Sequence, residues 1–129
     1  MKIIGIGTDI VQVDRIRKAM EAQEGFETRV FCHGERVYCR THSDPYPIFA
    51  GRFAAKEACV KALGEGFGSL GLQDIEVKHM PSGKPYLSFS HDAKKHVSAV
   101  QFEISIAHER DYAVATVIAF TDRTDNGNR

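Results

Sequence analysis

The sequence predicts an α+β domain, and three features carry that prediction. A β-branched, glycine-punctuated segment, Ile3-Ile4-Gly5-Ile6-Gly7, opens the chain as a short buried strand. Helical spacing and helix-forming composition then run to about Gly64. Strand-like runs fill most of the remainder and end in the almost unbroken apolar stretch Tyr112–Phe120. A strand, then helices, then mostly strands is the order of an α+β fold.

The elements follow in order. Thr8-Asp9 mark the end of the opening strand, and Ile10, Val11, Val13, Ile16 and Met20 recur at near-helical spacing. That spacing predicts a helix over about Val13–Gln23, with Arg15, Arg17 and Lys18 on its exposed side. Phe26–Arg40 reads as a turn and a short helix with Phe31, Val37 and Tyr38 inward. Two prolines make Thr41–Pro47 a loop. Ile48 opens the central helix, whose core is Arg52-Phe53-Ala54-Ala55-Lys56-Glu57-Ala58-Cys59-Val60-Lys61-Ala62-Leu63-Gly64. Its alanines let a neighbouring backbone approach closely, and Gly64 suits its stop. Gly64–Gly71 is glycine-rich and irregular. Ile75 and Val77 mark a strand, Pro81–Pro85 a turn, and Tyr86, Leu87 and Phe89 the returning strand. A short helix spans about Asp92–Ser98, and Ile104–Ala107 pairs with Tyr112–Phe120 across a turn at His108–Asp111. No repeat or linker interrupts a single domain over residues 1–120, and the polar residues 121–129 read as a frayed tail.

Composition narrows the function. The chain has 129 residues, a length that suits one domain and buries roughly two-thirds of its unfolded surface. Lys+Arg and Asp+Glu number 17 each, and a net charge of zero argues against bulk nucleic-acid binding. No stretch approaches a membrane span, and the apolar run near Met1 is too short for a signal peptide. The cysteines Cys32, Cys39 and Cys59 fit free thiols in a reducing cytoplasm, so a cytoplasmic protein is expected.

The chemistry-bearing residues are few. Glu57 and Lys61 leave one face of the central helix, a spacing that also fits an ordinary surface ion pair. Asp9 lies beside glycines at the first strand, where it also fits a turn or cap residue. Taken together, Asp9, Glu57 and Lys61 fit a magnesium–diphosphate site. Magnesium takes one or two carboxylates and leaves its other positions to phosphate oxygens and water. Lys61 supplies a point charge, and the glycine-rich segment after it offers backbone N–H groups. Cys32, His33, Cys39 and His42 are zinc-ligating types without the tight paired spacing of a structural zinc site. Ser82-Gly83-Lys84 lacks the phosphate-loop frame and reads as a hairpin turn, with Lys84 available to a nearby anion. Ser105 and His108 lack a third member and an oxyanion site, so His108 reads as a binding or orienting group or as an exposed loop histidine. Cys59, inside the central helix, is expected to be buried and inert. An enzyme without its own nucleophile must bring two substrates together.

The segments Gly5-Ile6-Gly7-Thr8-Asp9-Ile10, Arg52–Gly66, Ser82-Gly83-Lys84-Pro85 and Ser105-Ile106-Ala107-His108-Glu109 with Tyr112-Ala113 occur in that order. They closely resemble the short, stand-alone bacterial branch of the 4′-phosphopantetheinyl transferases, the holo-[acyl-carrier-protein] synthases. The resemblance implies the fold of that family, a small antiparallel sheet packed against a long central helix. It implies transfer of 4′-phosphopantetheine from coenzyme A to a serine of apo acyl carrier protein, in fatty acid biosynthesis, leaving adenosine 3′,5′-bisphosphate. It implies Mg²⁺ (Mg2+) as cofactor, with Asp9 and Glu57 as metal ligands and Asp9, Glu57 and Lys61 as the catalytic set. Coenzyme A would meet Arg52, Lys61, Gly64, Gly83, Lys84, Pro85 and His108, and the acidic carrier protein would meet Arg15, Arg17 and Lys18. The family also implies a homotrimer with active sites between subunits. Gly25 stands where some relatives carry a basic residue, and Ala107 where a hydroxyl residue is common. Two rival readings are a non-catalytic coenzyme A-binding module and a magnesium-dependent diphosphate hydrolase. The first needs no metal, which intact Asp9 and Glu57 speak against, and the second needs further carboxylates to activate water.

Overall fold

The opening strand is longer than its sequence pattern predicts. In the computed structural model, which describes residues 1–122, β1 runs Lys2–Gln12. It pairs antiparallel with β5 (Tyr112–Thr121), from Lys2 opposite Thr121 to Gln12 opposite Tyr112, with a register irregularity between Ile3 and Gly5. A long apolar partner strand offers backbone groups past Gly7, and pairing with them satisfies Thr8–Gln12. Asp9 therefore lies within the strand, opposite Ala115, and not at its end. β4 (Gln101–His108) flanks β5 on the other side, so the sheet order is β1-β5-β4 and the expected hairpin forms its centre and one edge. A separate two-stranded sheet joins β2 (Ile75–His79) to β3 (Pro85–Phe89). Thr121 belongs to β5, and the rest of the expected tail, from residue 123 on, lies outside the described residues.

Four of the five α-helices among the described residues lie between β1 and β2. α1 runs Val13–Ala22, and the region expected to hold one short helix holds two, α2 (Phe26–Val30) and α3 (His33–Arg40). Phe31 is buried as expected, but Val37 and Tyr38 are not: they are 54% and 39% exposed. The inward positions of α3 are Glu35 and Cys39, because Glu35 takes a buried ionic partner from the central helix. That helix, α4, spans Tyr46–Leu63. It starts before Ile48 because Pro47 falls in its first turn, where the missing N–H costs no hydrogen bond. Two 3₁₀ turns, Gly64–Phe67 and Leu72–Asp74, follow it. α5 (His91–Val97) is capped by Ser90, whose hydroxyl accepts from the Ala93 N–H at 3.2 Å.

α4 is the spine of two cores. On one side Ala58, Cys59 and Ala62 meet Ile75, Val97, Val117 and Ala119. Toward the N-terminal end Phe49 and Ala50 meet Ile16, Val30 and Phe31. Phe31 and Phe49 are fully buried with ring centroids 4.9 Å apart, each worth roughly 2 kcal/mol of transfer free energy. The opposite face of the sheet is bare and partly apolar. Ile6 and Ile10 are 60% and 66% exposed, and Thr8 and Thr116 share a hydrogen bond there at 3.2 Å.

Candidate active site

Two glycines press α4 onto β1. A Cβ on Gly7 would stand 1.9 Å from the Ala58 carbonyl oxygen, and one on Gly5 would stand 2.2 Å from that of Ala62. The small face of α4 completes the fit, since Ala58 and Ala62 are buried against the strand. This close approach carries the next face of the helix over Asp9. The Lys61 ammonium donates to the Thr8 carbonyl at 2.9 Å and to Asp9 Oδ1 at 3.2 Å. The cation thus crosses to the strand, and among the described residues it forms no ion pair with Glu57, its neighbour on the helix. Glu57 is half-buried beside the same carboxylate. Burial raises its pKa above the usual range, the charge of Asp9 raises it further, and Lys61 opposes both.

Asp9, Arg15, Phe26, Phe53 and Glu57 line one cleft of about 310 Å³. Its chemistry is that of two carboxylates, of which Asp9 is paired with the Lys61 ammonium at the cleft's edge. Such a pair is short of positive charge and rich in hard oxygen donors, and this fits magnesium, which binds through one or two carboxylates and completes its shell elsewhere. Among the described residues no third His, Cys, Asp or Glu joins them.

The other predicted residues are distributed over the molecule. Arg15 faces the cleft, whereas Arg17 and Lys18 are both drawn to Asp14, Lys18 at 3.0 Å. Gly64 ends α4 and Gly83 lies in the β2–β3 turn; beside each the nearest space is open. Lys84 pairs with Glu103 of β4 at 3.2 Å, and Pro85 opens β3 opposite His79. Arg52 points to the side of α4 away from Asp9. It is 5% exposed, its guanidinium lies 4.6 Å from the Tyr38 ring centroid, and Nη2 sits 3.1 Å from the His79 ring nitrogens. Its Nε is buried and, among the described residues, has no hydrogen-bond partner. His108 ends β4 and lines a second cleft with Ile10 and Tyr112, of about 320 Å³. A single chain therefore gathers Asp9, Arg15, Glu57 and Lys61, buries Arg52 on another side of α4, and holds Lys84 and His108 on other surfaces.

The zinc-ligating types go separate ways. Cys39 is fully buried, and burial pushes its thiol up to about 12. The Cys32 thiol donates to the Gln73 carbonyl at 3.2 Å, and His42 Nδ1 lies 3.2 Å from the Tyr38 carbonyl. Cys59 is a buried free thiol, also pushed up to about 12 by burial.

Sequence reasoning passed over one ionic group. Lys56 and Glu35 form an ion pair at 2.6 Å with both side chains wholly buried. The available signal was a lysine set among alanines on a helix whose every turn is apolar. Phe26 and Phe53, the aromatic walls of the cleft, were likewise assigned no role.

Residues 5–117 match the family model of the 4′-phosphopantetheinyl transferase superfamily. The chain belongs to that superfamily. Within it, the similarity is to holo-[acyl-carrier-protein] synthases. The chain is 45% identical to the one of Chlamydia pneumoniae over 92% of its own length and 98% of that protein. It is 40% identical to the one of Clostridium novyi, over 98% and 94%. Among solved structures, the synthase of Bacillus anthracis in complex with CoA (3′,5′-ADP) superposes with a TM-score of 0.79 at 34% identity, over 95% of this chain and 100% of that one. The Helicobacter pylori synthase in complex with coenzyme A gives 0.76 at 34%, over 88% and 98%.

Proposed function

We propose that this chain is a holo-[acyl-carrier-protein] synthase that moves 4′-phosphopantetheine from coenzyme A to a serine of apo acyl carrier protein, with magnesium as cofactor and adenosine 3′,5′-bisphosphate as the other product. The observation that carries the reading is the convergence of Asp9, Glu57 and Lys61 where α4 crosses β1. The relatives named for this activity, and the solved neighbours bound to coenzyme A, support it.

Each residue then has a task. Asp9 and Glu57 present the oxygens that hold magnesium, and magnesium bound there would neutralise the diphosphate of coenzyme A. Lys61, half-exposed on its long stem, exchanges Asp9 for a phosphate oxygen when the diphosphate arrives. The carrier serine oxygen bonds to the phosphorus that bears pantetheine, and the bridging P–O bond breaks with its electron pair leaving on the nucleotide phosphate. Glu57, the carboxylate at the cleft, receives the serine proton. Arg52 meets a phosphate of coenzyme A: among the described residues its Nε has no hydrogen-bond partner and no carboxylate pairs with its guanidinium. Arg15 faces the acidic carrier protein from the wall of the cleft.

The working unit is a homotrimer with its sites between subunits. The exposed apolar sheet face supports this, as does the separation of Arg52, Lys84 and His108 from the cleft within one chain. Ile10→Asp, in the middle of that face, is expected to sediment as a monomer; an unchanged trimer would remove this part of the reading. The protein is cytoplasmic and serves fatty acid biosynthesis. No helix among the described residues is long and apolar enough to cross a membrane.

The function is tested by measuring release of adenosine 3′,5′-bisphosphate with and without apo carrier protein. Release that requires both carrier and magnesium is the expected result. Release without carrier would make the chain a hydrolase, and binding of coenzyme A without release would make it a binding module.

A further inference from the structure

A buried ionic network on α4 has no part in the chemistry above, and its position points to one. The Lys56 ammonium donates to Glu35 Oε1 at 2.6 Å, to the Leu72 carbonyl at 2.9 Å and to the Ile75 carbonyl. Three N–H groups thus meet three acceptors, and the ammonium is saturated. Glu35 in turn accepts from the Cys32 N–H and the Val77 N–H, each at 2.9 Å. One pair of side chains thereby ties α4 to α3, to the 3₁₀ turn at Leu72–Asp74 and to β2.

A buried ion pair commonly contributes little net stability compared with apolar side chains of the same size, so its retention calls for another account. The sheet side of α4 supplies the reason. There the helix presents Ala58 and Ala62 to Gly5 and Gly7. Side chains this small permit close approach but interdigitate poorly, so they set the distance of the helix from the strand and resist its rotation weakly. Rotation matters at the next residue. Glu57 follows Lys56 by about 100° around the axis, and a group some 5.5 Å from the axis swings about 2 Å for a 20° turn. We propose that the Glu35–Lys56 pair is a positioning device that fixes the rotation of α4 and so holds Glu57 at Asp9. This inference rests on the proposed reaction, and it names the residues that give its site one geometry.

The test separates positioning from bulk stability. In Glu35→Met/Lys56→Met both charges are replaced by apolar groups of similar size. Three readouts are compared with the unaltered protein: the urea midpoint, the Mg²⁺ concentration that half-saturates the thermal shift in the presence of coenzyme A, and kcat and KM for transfer. The expected result is a urea midpoint at or above that of the parent, Mg²⁺ half-saturation raised at least tenfold, kcat lowered at least tenfold, and the KM for coenzyme A within about twofold. A folded double variant with parental Mg²⁺ half-saturation and kcat overturns the proposal. If the double variant does not fold, Glu35→Gln, which keeps the size but replaces the ionic hold by a neutral hydrogen bond, is used: its urea midpoint is expected to fall because Lys56 loses its counter-charge, and a folded Glu35→Gln with parental Mg²⁺ half-saturation and kcat overturns the proposal. Val77→Ala, destabilised in the same core without loss of either charge, is the control: a tenfold rise in its Mg²⁺ half-saturation would also overturn the proposal. Should the parent bind Mg²⁺ and coenzyme A yet transfer nothing, the proposed reaction fails while the Mg²⁺ readout still decides the positioning claim.

Discussion

Gly7→Ala adds one carbon where α4 lies closest to β1. That Cβ would stand 1.9 Å from the Ala58 carbonyl oxygen, 2.9 Å from its carbon and 2.8 Å from the Ala62 nitrogen, all of them backbone atoms. No rotamer change relieves such a clash. An ordinary contact needs about 3.5 Å, so helix and strand must part by about 1.6 Å. The Lys61 bonds to Thr8 and Asp9, at 2.9 and 3.2 Å, do not survive that displacement. Overpacking of this kind costs about 3 kcal/mol, and a misplacement of about 1 Å at reacting groups costs about a hundredfold in rate. Urea unfolding and single-turnover transfer read the two effects. Gly66→Ala is the control for stability, since a Cβ there meets nothing within 4 Å. If Gly7→Ala unfolds at the parental midpoint and transfers at the parental rate, the reasoning that the glycines place the site is refuted.

Other expectations concern charge. Glu57→Gln removes a half-buried negative group beside Asp9, so the metal-free protein unfolds at a slightly higher temperature while its stabilisation by magnesium disappears, both read by thermal unfolding. Burial, then Arg52, then His42 hold the His79 pKa below the usual 6.5. The unfolded chain therefore takes up a proton more readily, and stability is full above pH 6.5 and declines as pH falls through it; His79→Gln flattens that decline in urea midpoints measured from pH 7 to 5. Arg15→Ala raises the KM for carrier protein roughly fivefold, as one exposed contact of about 1 kcal/mol implies, and weakens the salt dependence of association. Arg17→Ala has the smaller effect, because Asp14 already holds that guanidinium.

Local patterns and global partners divide what the sequence makes legible. The α+β class, the β4–β5 hairpin and the alanine-rich central helix follow from spacing and composition, which act within a few residues. The length of β1 does not, because its second half is specified by β5, about a hundred residues away. The inward face of α3 also escaped, since Glu35 is buried only because Lys56 meets it. Asp9, Glu57 and Lys61 were legible as a set through the glycines and alanines that let strand and helix touch. That Lys61 would pair across to Asp9 was not, for the helix spacing favours Glu57 equally well. Arg52 stands in the sequence as a coenzyme A contact implied by the resemblance, and its burial against Tyr38 of α3 and His79 of β2 depends on elements that no local pattern links to it.

The central claim is that the site built by Asp9, Glu57 and Lys61 carries out phosphopantetheine transfer, and intact-mass spectrometry of an apo acyl carrier protein tests it most directly. The carrier is incubated with this protein, coenzyme A and Mg²⁺, with a parallel sample in EDTA. With magnesium the carrier is expected to gain about 340 Da, one phosphopantetheine in a single transfer, and with EDTA nothing. A carrier that keeps its apo mass in both samples, while coenzyme A remains bound to the protein, would contradict the claim.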